Sequence, residues 1–371
     1  MNINSVINAI ESYAPRSFQE KWDNSGLQIA LPAGQTECTG VLLCLDVNEA
    51  IIDEAERRGC NLVVSHHPLI FKGFKSLTGS TVQERAAMAA IRKGIAVYSA
   101  HTSLDSTPGG VSYAMASLLG AEVSGVIEPA EGLECILSVI CPREVSEDVR
   151  LILLNHDAGA PLCAGNTGAE DTAEVVHTDC SGDILPDKLC SNPSISHVAL
   201  TRVEARVPFG MVNTLMSQIK ELPDASRISY SIVQSPASDA IGLGVYAILP
   251  DTGVKGSEFA TRLKEAFHCE GIRVSAGYEP DMKIRRIALC GGSGGEFIGK
   301  VIRAGVDAYV TADVRYHDFA DIAGAPCAVF DIGHFESESC AKSIFYSIIT
   351  KKFPNFAVYY SEIEKNPVKH L

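Results

Sequence analysis

No run of about 18 uninterrupted apolar residues occurs in the 371-residue chain, which argues against a transmembrane helix. The opening residues Met1-Asn2-Ile3-Asn4-Ser5-Val6 have neither the basic stretch nor the long apolar core of a signal peptide, so the expected location is the cytoplasm. Positive charge is scarce. Lys and Arg total 31 against 45 Asp and Glu, for a net charge of −14, and there is no dense basic tract. This argues against DNA, RNA or an anionic membrane as a partner, although a locally positive pocket can still take a small phosphorylated metabolite. Cys-x-x-Cys pairs are also absent, although the chain holds 12 cysteines. Cys44, Cys290 and Cys327 sit in apolar strand-like runs, where a thiol serves as a small hydrophobe, so reduced cysteines are expected.

The chain has no dinucleotide or mononucleotide fingerprint either. Gly291-Gly292-Ser293-Gly294-Gly295 reads as a turn between strand and helix, but Phe297 stands where a Gly-x-Gly-x-x-Gly pattern needs its last glycine. No Lys-Ser/Thr follows to make a Walker loop. The turn is either structural or an anion cradle at a helix start.

What is present is ordinary globular material, 46% hydrophobic and 20% charged, and long enough for two domains. The first section alternates helix (3–13), strand (40–45), helix (48–58), strand (62–64), helix (81–93), strand (95–98) and helix (111–119). The same alternation returns with strand 286–290, helix 296–304, strands 307–311 and 327–331, and helix 337–350. Short apolar strands separated by helices predict an α/β sheet covered on both faces. Between these halves the pattern is strand 135–140, helix 145–155, a polar stretch to about 193, strand 199–205, helix 209–221 and strand 227–233. Two β-α-β units of that size predict an inserted ferredoxin-like α+β domain. The expected division is a core α/β domain in two halves, 1–130 and 241–371, interrupted by an insert at 131–240.

Chemistry concentrates after the strands, where ligands gather in α/β sheets. His66 and His67 stand side by side between Val63-Val64-Ser65 and Pro68. A lone histidine is ordinarily a surface or hydrogen-bonded core residue, but a doublet just past a strand is poorly explained by packing. Neighbouring extended residues point to opposite sides, so a turn must redirect one ring for both to face a single site, and one histidine for each of two metals is the natural geometry. His101 and Asp105 follow the next strand; alone, Asp105 reads as a turn or cap residue, while as a metal ligand its carboxylate can bridge two cations, and His101 reads as a ligand or a group that binds a carboxylate or substrate. His334 and Glu338 have i,i+4 spacing, on one face of a helix that begins near Gly333, whereas Glu336 reads as a solvated helix start. If the three segments converge, the mixed nitrogen and oxygen set suits zinc, manganese or iron better than calcium.

Ser65-His66-His67-Pro68, Ala100-His101-Thr102-Ser103-Leu104-Asp105 and Gly333-His334-Phe335-Glu336-Ser337-Glu338 together resemble the signatures of the NGG-interacting-factor-three-like family. Its bacterial members are often named GTP cyclohydrolase I type 2 homologues. Trp22-Asp23-Asn24-Ser25-Gly26-Leu27 and the Thr311–His317 segment are similar to it as well, with Ala312 departing from a usual glycine. The resemblance covers residues 1–130 and 240–371, and the middle looks like the CutA/PII-related insertion of longer members. It implies two divalent metal ions per subunit on His66, His67, Asp105, His334 and Glu338, and a ring-shaped homohexamer with sites facing an internal cavity. His101 and His317 would line the pocket as catalytic groups. The expected activity is metal-dependent hydrolysis of a small nucleotide-like or phosphorylated molecule. The alternative from another class is a non-catalytic scaffold that senses metal or ligand.

Overall fold

A computed structural model describes residues 1–32, 34–154, 176–179, 200–234, 240–250 and 252–370. The chain divides into two compact units, Met1–Ala130 with Ser238–Leu371, and Glu131–Ala237.

The first unit holds two main sheets. One has the strand order Gly26–Ile29, Ala96–Ser99, Leu62–Ser65, Val41–Cys44, Val358–Tyr360, and only the Gly26–Ile29 strand runs antiparallel to its neighbour. The other runs Arg273–Val274, Ala328–Asp331, Ala308–Ala312, Arg286–Ser293, Gly242–Ile248, Glu122–Pro129, with the second to fourth of these parallel among themselves. The parallel strands Val41–Cys44, Leu62–Ser65, Ala96–Ser99, Ala308–Ala312 and Ala328–Asp331 are buried at every position. That is why they read as continuous apolar runs rather than alternating ones. Leu43, Val64 and Tyr98 of the first sheet share one apolar cluster with Leu289, Val310 and Phe330 of the second.

Helices cover these sheets for local reasons that the sequence carries. Ile3–Tyr13 turns Ile3, Val6, Ile7 and Ile10 inward, and the Asn2 side chain caps it on the Asn4 amide. Glu49–Arg57 is capped by Asn48 and followed by Gly59 at φ +70°. Val82–Lys93 starts on a Thr81 cap and ends on Gly94 at φ +62°.

Several expected boundaries move. Arg286–Ser293 is one long strand, so the turn expected at 291–295 starts only at Gly294. Tertiary contact overrides the poor strand propensity of glycine there, because the Gly292 amide donates to Ser337 Oγ at 3.0 Å. The helix expected over 337–350 is two helices, His334–Glu338 and Cys340–Lys352. The helix at 209–221 opens with a tight turn, Phe209–Met211, before Val212–Ile219. Asp105 lies on a short helix, Thr102–Asp105, rather than in an open loop. No helix among the described residues is long and apolar enough to cross a membrane. The described cysteines are free thiols and, Cys340 apart, buried.

The second unit has a four-stranded antiparallel sheet in the order Val176–Asp179, Leu200–Pro208, Glu134–Pro142, Ser229–Gln234. Helices Ser146–Leu154 and Val212–Ile219 add Val149, Leu153, Leu215 and Ile219 to its own apolar core. Most of the polar stretch expected to run to about 193 lies outside the described residues; within it Val176–Asp179 is a strand.

Candidate metal centre

Within the first unit, the carboxyl ends of parallel strands from both sheets deliver polar side chains to one place. Leu62–Ser65 leads to His66 and His67, whose amides donate to the Cys44 and Leu45 carbonyls at 3.2 and 2.9 Å. The backbone bends directly after Ser65, so the two rings lie together, centroids 5.2 Å apart, instead of on opposite faces. Ala96–Ser99 leads to His101, whose ring is 5.4 Å from that of His66 and 5.6 Å from that of His67. Ala328–Asp331 leads to the helix that carries His334 and Glu338. Gly333 takes φ +93° to start that helix, a backbone angle that side chains resist.

The histidines are oriented through one ring nitrogen each. Nδ1 of His66 lies 2.9 Å from the Ala100 carbonyl, and that of His67 2.9 Å from Asp46 Oδ1. Nδ1 of His101 is 2.9 Å from Asp23 Oδ1, and Nδ1 of His334 is 2.7 Å from Asp313 Oδ2. Carbonyl and carboxylate oxygens only accept, so each ring carries a proton on Nδ1 and turns Nε2 toward the centre, where the Nε2 atoms of His67 and His334 meet the Glu338 carboxylate. This is the arrangement of a metal-ligating histidine, and His66, His67, His101, His334 and Glu338 are positioned to hold a metal ion. Asp23 and Asp313 lie in the Trp22–Leu27 and Thr311–His317 segments noted in the sequence, but neither was given a role there, and Asp46 was not singled out at all. Each follows a strand or lies in a loop, where an isolated Asp reads as a turn residue.

Glu338 is the centre of the cluster and is nearly fully buried. Its Oε2 lies 2.7 Å from His67 Nε2 and 3.0 Å from His334 Nε2, while Oε1 faces His66 Nε2 at 3.7 Å. Burial alone would raise its pKa, but the histidines around it win and hold the carboxyl well below its usual range. Burial likewise opposes charge on His67, yet its hydrogen bonds to Asp46 and Glu338 push it up to about 10. His334 rises to about 9 for the same reasons, through Glu338 and Asp313. Gly292, at φ +61°, lies so close that a Cβ there would collide with Glu338 Oε1.

Two buried atoms make the strongest test of fit. His66 Nε2 and Asp105 Oδ1 have no hydrogen-bond partner, and they face each other at 3.5 Å. That is long for an N–H···O bond. Two ligand atoms each about 2.1 Å from one ion at a tetrahedral angle are about 3.4 Å apart. The His67 and His334 Nε2 atoms, 3.3 Å from each other, have the same spacing. The donor set and its spacings therefore fit a divalent cation.

His317 is not brought into this group. It lies exposed near the start of helix Tyr316–Asp321, its ring 5.4 Å from that of Tyr316. In the Thr311–Asp318 segment, Ala312 is ordinary buried strand, and the left-handed angle falls on Asp313 at φ +53°. A pocket of about 450 Å³ opens beside His67 and His334, walled by Arg273, Phe335 and, from the C-terminal tail, Asn366, Val368 and His370.

Fold and site define an α/β protein with a histidine–carboxylate cluster, at the strand ends of two sheets, positioned to hold metal. The chain belongs to the Duf34/NIF3 (NGG1p interacting factor 3) family, whose model matches residues 1–367. It is 27% identical over 389 residues to a protein of Bacillus subtilis (strain 168) named GTP cyclohydrolase 1 type 2 homolog, covering 100% of this chain and 99% of the relative. A Halalkalibacterium halodurans protein of the same name is 29% identical over 346 residues, covering 90% and 88%. Among solved structures, a Bacillus cereus protein related to NIF3 is similar with a TM-score of 0.77 and 26% identity, covering 100% of this chain and 99% of that one.

Proposed function

We propose that this protein is a dinuclear metal-dependent hydrolase of a small nucleotide-like or phosphorylated molecule. The carrying observation is the pair of unpartnered buried atoms, His66 Nε2 and Asp105 Oδ1, beside a Glu338 whose two oxygens face different histidines. In this reading His66, His67, Asp105, His334 and Glu338 would together hold the two cations. Zinc, manganese and iron suit the donors. A divalent pair supplies Lewis acidity and brings the pKa of water toward neutrality.

The chain's own groups supply the rest. Asp46, Asp313 and Asp23 fix the ring orientations, and His101, held on Asp23, presents Nε2 toward the centre. His101 is assigned proton transfer to the leaving group. His317, expected in that role as well, stands outside the cluster, so the assignment rests on His101. The relatives' name, GTP cyclohydrolase 1 type 2 homolog, supports a nucleotide-like substrate.

The insert is proposed to span 131–240 and to be ferredoxin-like of the CutA/PII kind. Its β-α-β-β-α-β element order and antiparallel sheet support this. A ring-shaped homohexamer in the cytoplasm completes the proposal. A screen of nucleotides, phosphoesters and cyclic amides with metal-stripped controls tests it, and metal-dependent turnover is the expected result. One observation favours a second reading: unit 131–237 has a separate core, as a reporter domain of a non-catalytic sensor would. Silence across the screen, with a change of shape on ligand binding, would select the sensor.

A further inference from the structure

We propose that Trp22 and Phe71 form a stacking platform beside the metal cluster that binds the planar heteroaromatic ring of a small-molecule ligand. This deepens the function proposed above and rests on the metal centre placed there. The two rings lie 5.9 Å apart at 56°, and each touches the ring of His101, at 6.0 Å for Trp22 and 6.3 Å for Phe71. His101 in turn meets the rings of His66 and His67. The platform is therefore one imidazole away from the candidate ligands. Both rings are nonetheless open, Trp22 at 57% exposure and Phe71 at 45%. Large aromatic side chains left in water at the rim of a polar centre offer a π face and apolar area to an incoming ring. At 56° a ligand ring can stack on one and meet the other by its edge.

The rings are held in place by the residues around them. Asp23, next to Trp22, accepts hydrogen bonds from Thr102 Oγ1 at 2.6 Å and Ser25 Oγ at 2.9 Å while orienting His101. Asn24 Nδ2 donates to the Ile70 carbonyl at 2.6 Å, and the Ile70 amide donates to Gln28 Oε1 at 3.2 Å. Those two bonds fix the backbone that carries Phe71. Binding there pays little ordering entropy, because both side chains stand on backbone that is already tied down. One segment, Trp22-Asp23-Asn24-Ser25, thus serves both the metal cluster and the platform.

Trp22 is the only tryptophan in the chain, so its fluorescence reports on this place alone. Metal-loaded full-length protein is titrated with guanosine, adenosine and guanosine 5′-monophosphate, and with ribose 5-phosphate as a non-aromatic control. The expected result is saturable quenching by the aromatic probes and none by ribose 5-phosphate. Calorimetric affinity for the best probe should fall about tenfold or more in Trp22→Ala and in Phe71→Ala, and less in Trp22→Phe. Metal content should stay at the wild-type value in all three, which also controls for folding. The proposal is overturned if no aromatic probe binds, if ribose 5-phosphate gives the same response, or if both alanine variants keep wild-type affinity. Shielding of Trp22 from acrylamide in the ligand-free protein also overturns it, because the rings would then be covered by another copy. Failure of the metal centre is read separately, as wild-type protein that holds no metal.

Discussion

His66 Nε2 and Asp105 Oδ1 face each other at 3.5 Å in the protein interior, and neither has a hydrogen-bond partner. A buried acceptor without a donor costs roughly 1–3 kcal/mol. A cation held by the two would remove that penalty, so each atom should matter more to the metal-bound protein than to the metal-free one. Asp105→Asn is predicted to reduce bound metal from two ions per chain toward one. Its metal-free form should melt no lower than metal-free wild type. Elemental analysis and thermal melts with and without chelator check both halves.

The aspartates behind the histidines make a second prediction. Asp46 and Asp313 accept from Nδ1 of His67 and His334, and partners of this kind typically account for about 10–100-fold in metal affinity. Asp46→Asn and Asp313→Asn should each weaken metal binding by about that factor. The fold itself should persist, since Asp46 and Asp313 are both more than half exposed. Competition with a coloured chelator measures the affinity directly. Unchanged affinity in both variants would remove the orienting role.

Without metal, His67 and His334 are held protonated, at about 10 and about 9, by Glu338 and their aspartates. A raised histidine pKa stabilises the folded state fully below the unfolded value of about 6.5. That stabilisation fades as pH rises through the folded values. The metal-free protein should therefore lose melting temperature between about pH 6.5 and 10. Metal must displace the same protons, so its affinity should rise over the same interval. Melting curves of chelated and metal-loaded protein across this range should diverge as pH increases. Parallel curves would contradict the arrangement.

Gly292 sits at φ +61° against Glu338, and a Cβ would strike Oε1. Gly292→Ala carries a left-handed backbone cost of about 1–2 kcal/mol and also displaces the Glu338 carboxylate from the cluster. It should lower the melting temperature and release most of the metal. Gly324→Ala, at a glycine with open space around its Cβ position, is the control and should do neither.

Glu364 ties the C-terminal tail to the centre. One oxygen accepts from the Leu45 and Asp46 amides at 2.6 and 3.1 Å, and the other from Lys342 Nζ at 2.6 Å. Glu364→Ala leaves those donors without a carboxylate, at a cost of roughly 1–3 kcal/mol. It should also loosen the loop that presents Asp46 to His67. A lower melting temperature together with weaker metal binding is expected, and loss of stability alone would separate the tail from the centre.

Much of this was legible in the sequence, for physical reasons. Leu62-Val63-Val64 and Cys327-Ala328-Val329-Phe330 are short apolar runs because their strands are buried on both faces, so the residues after them could be read as a shared rim. The His334–Glu338 spacing carried its helix face with it. The roles of Asp23, Asp46 and Asp313 were hidden because each lies in a partner 78, 21 and 21 residues away. The length of strand Arg286–Ser293 was hidden because glycines at 291 and 292 mimic a turn, while close approach to Val111 at Gly291 and to Glu338 at Gly292 is what requires them. The C-terminal tail has no periodicity, and Glu364 gains its meaning only from the amides it meets.

The most direct test is the metal content of protein purified without chelators and then reconstituted with zinc, manganese or iron. Close to two tightly held divalent ions per chain are expected, with most lost in Glu338→Gln because that side chain faces His66, His67 and His334 together. Protein that is folded yet binds none of these ions, or binds them equally well without Glu338, would contradict that expectation.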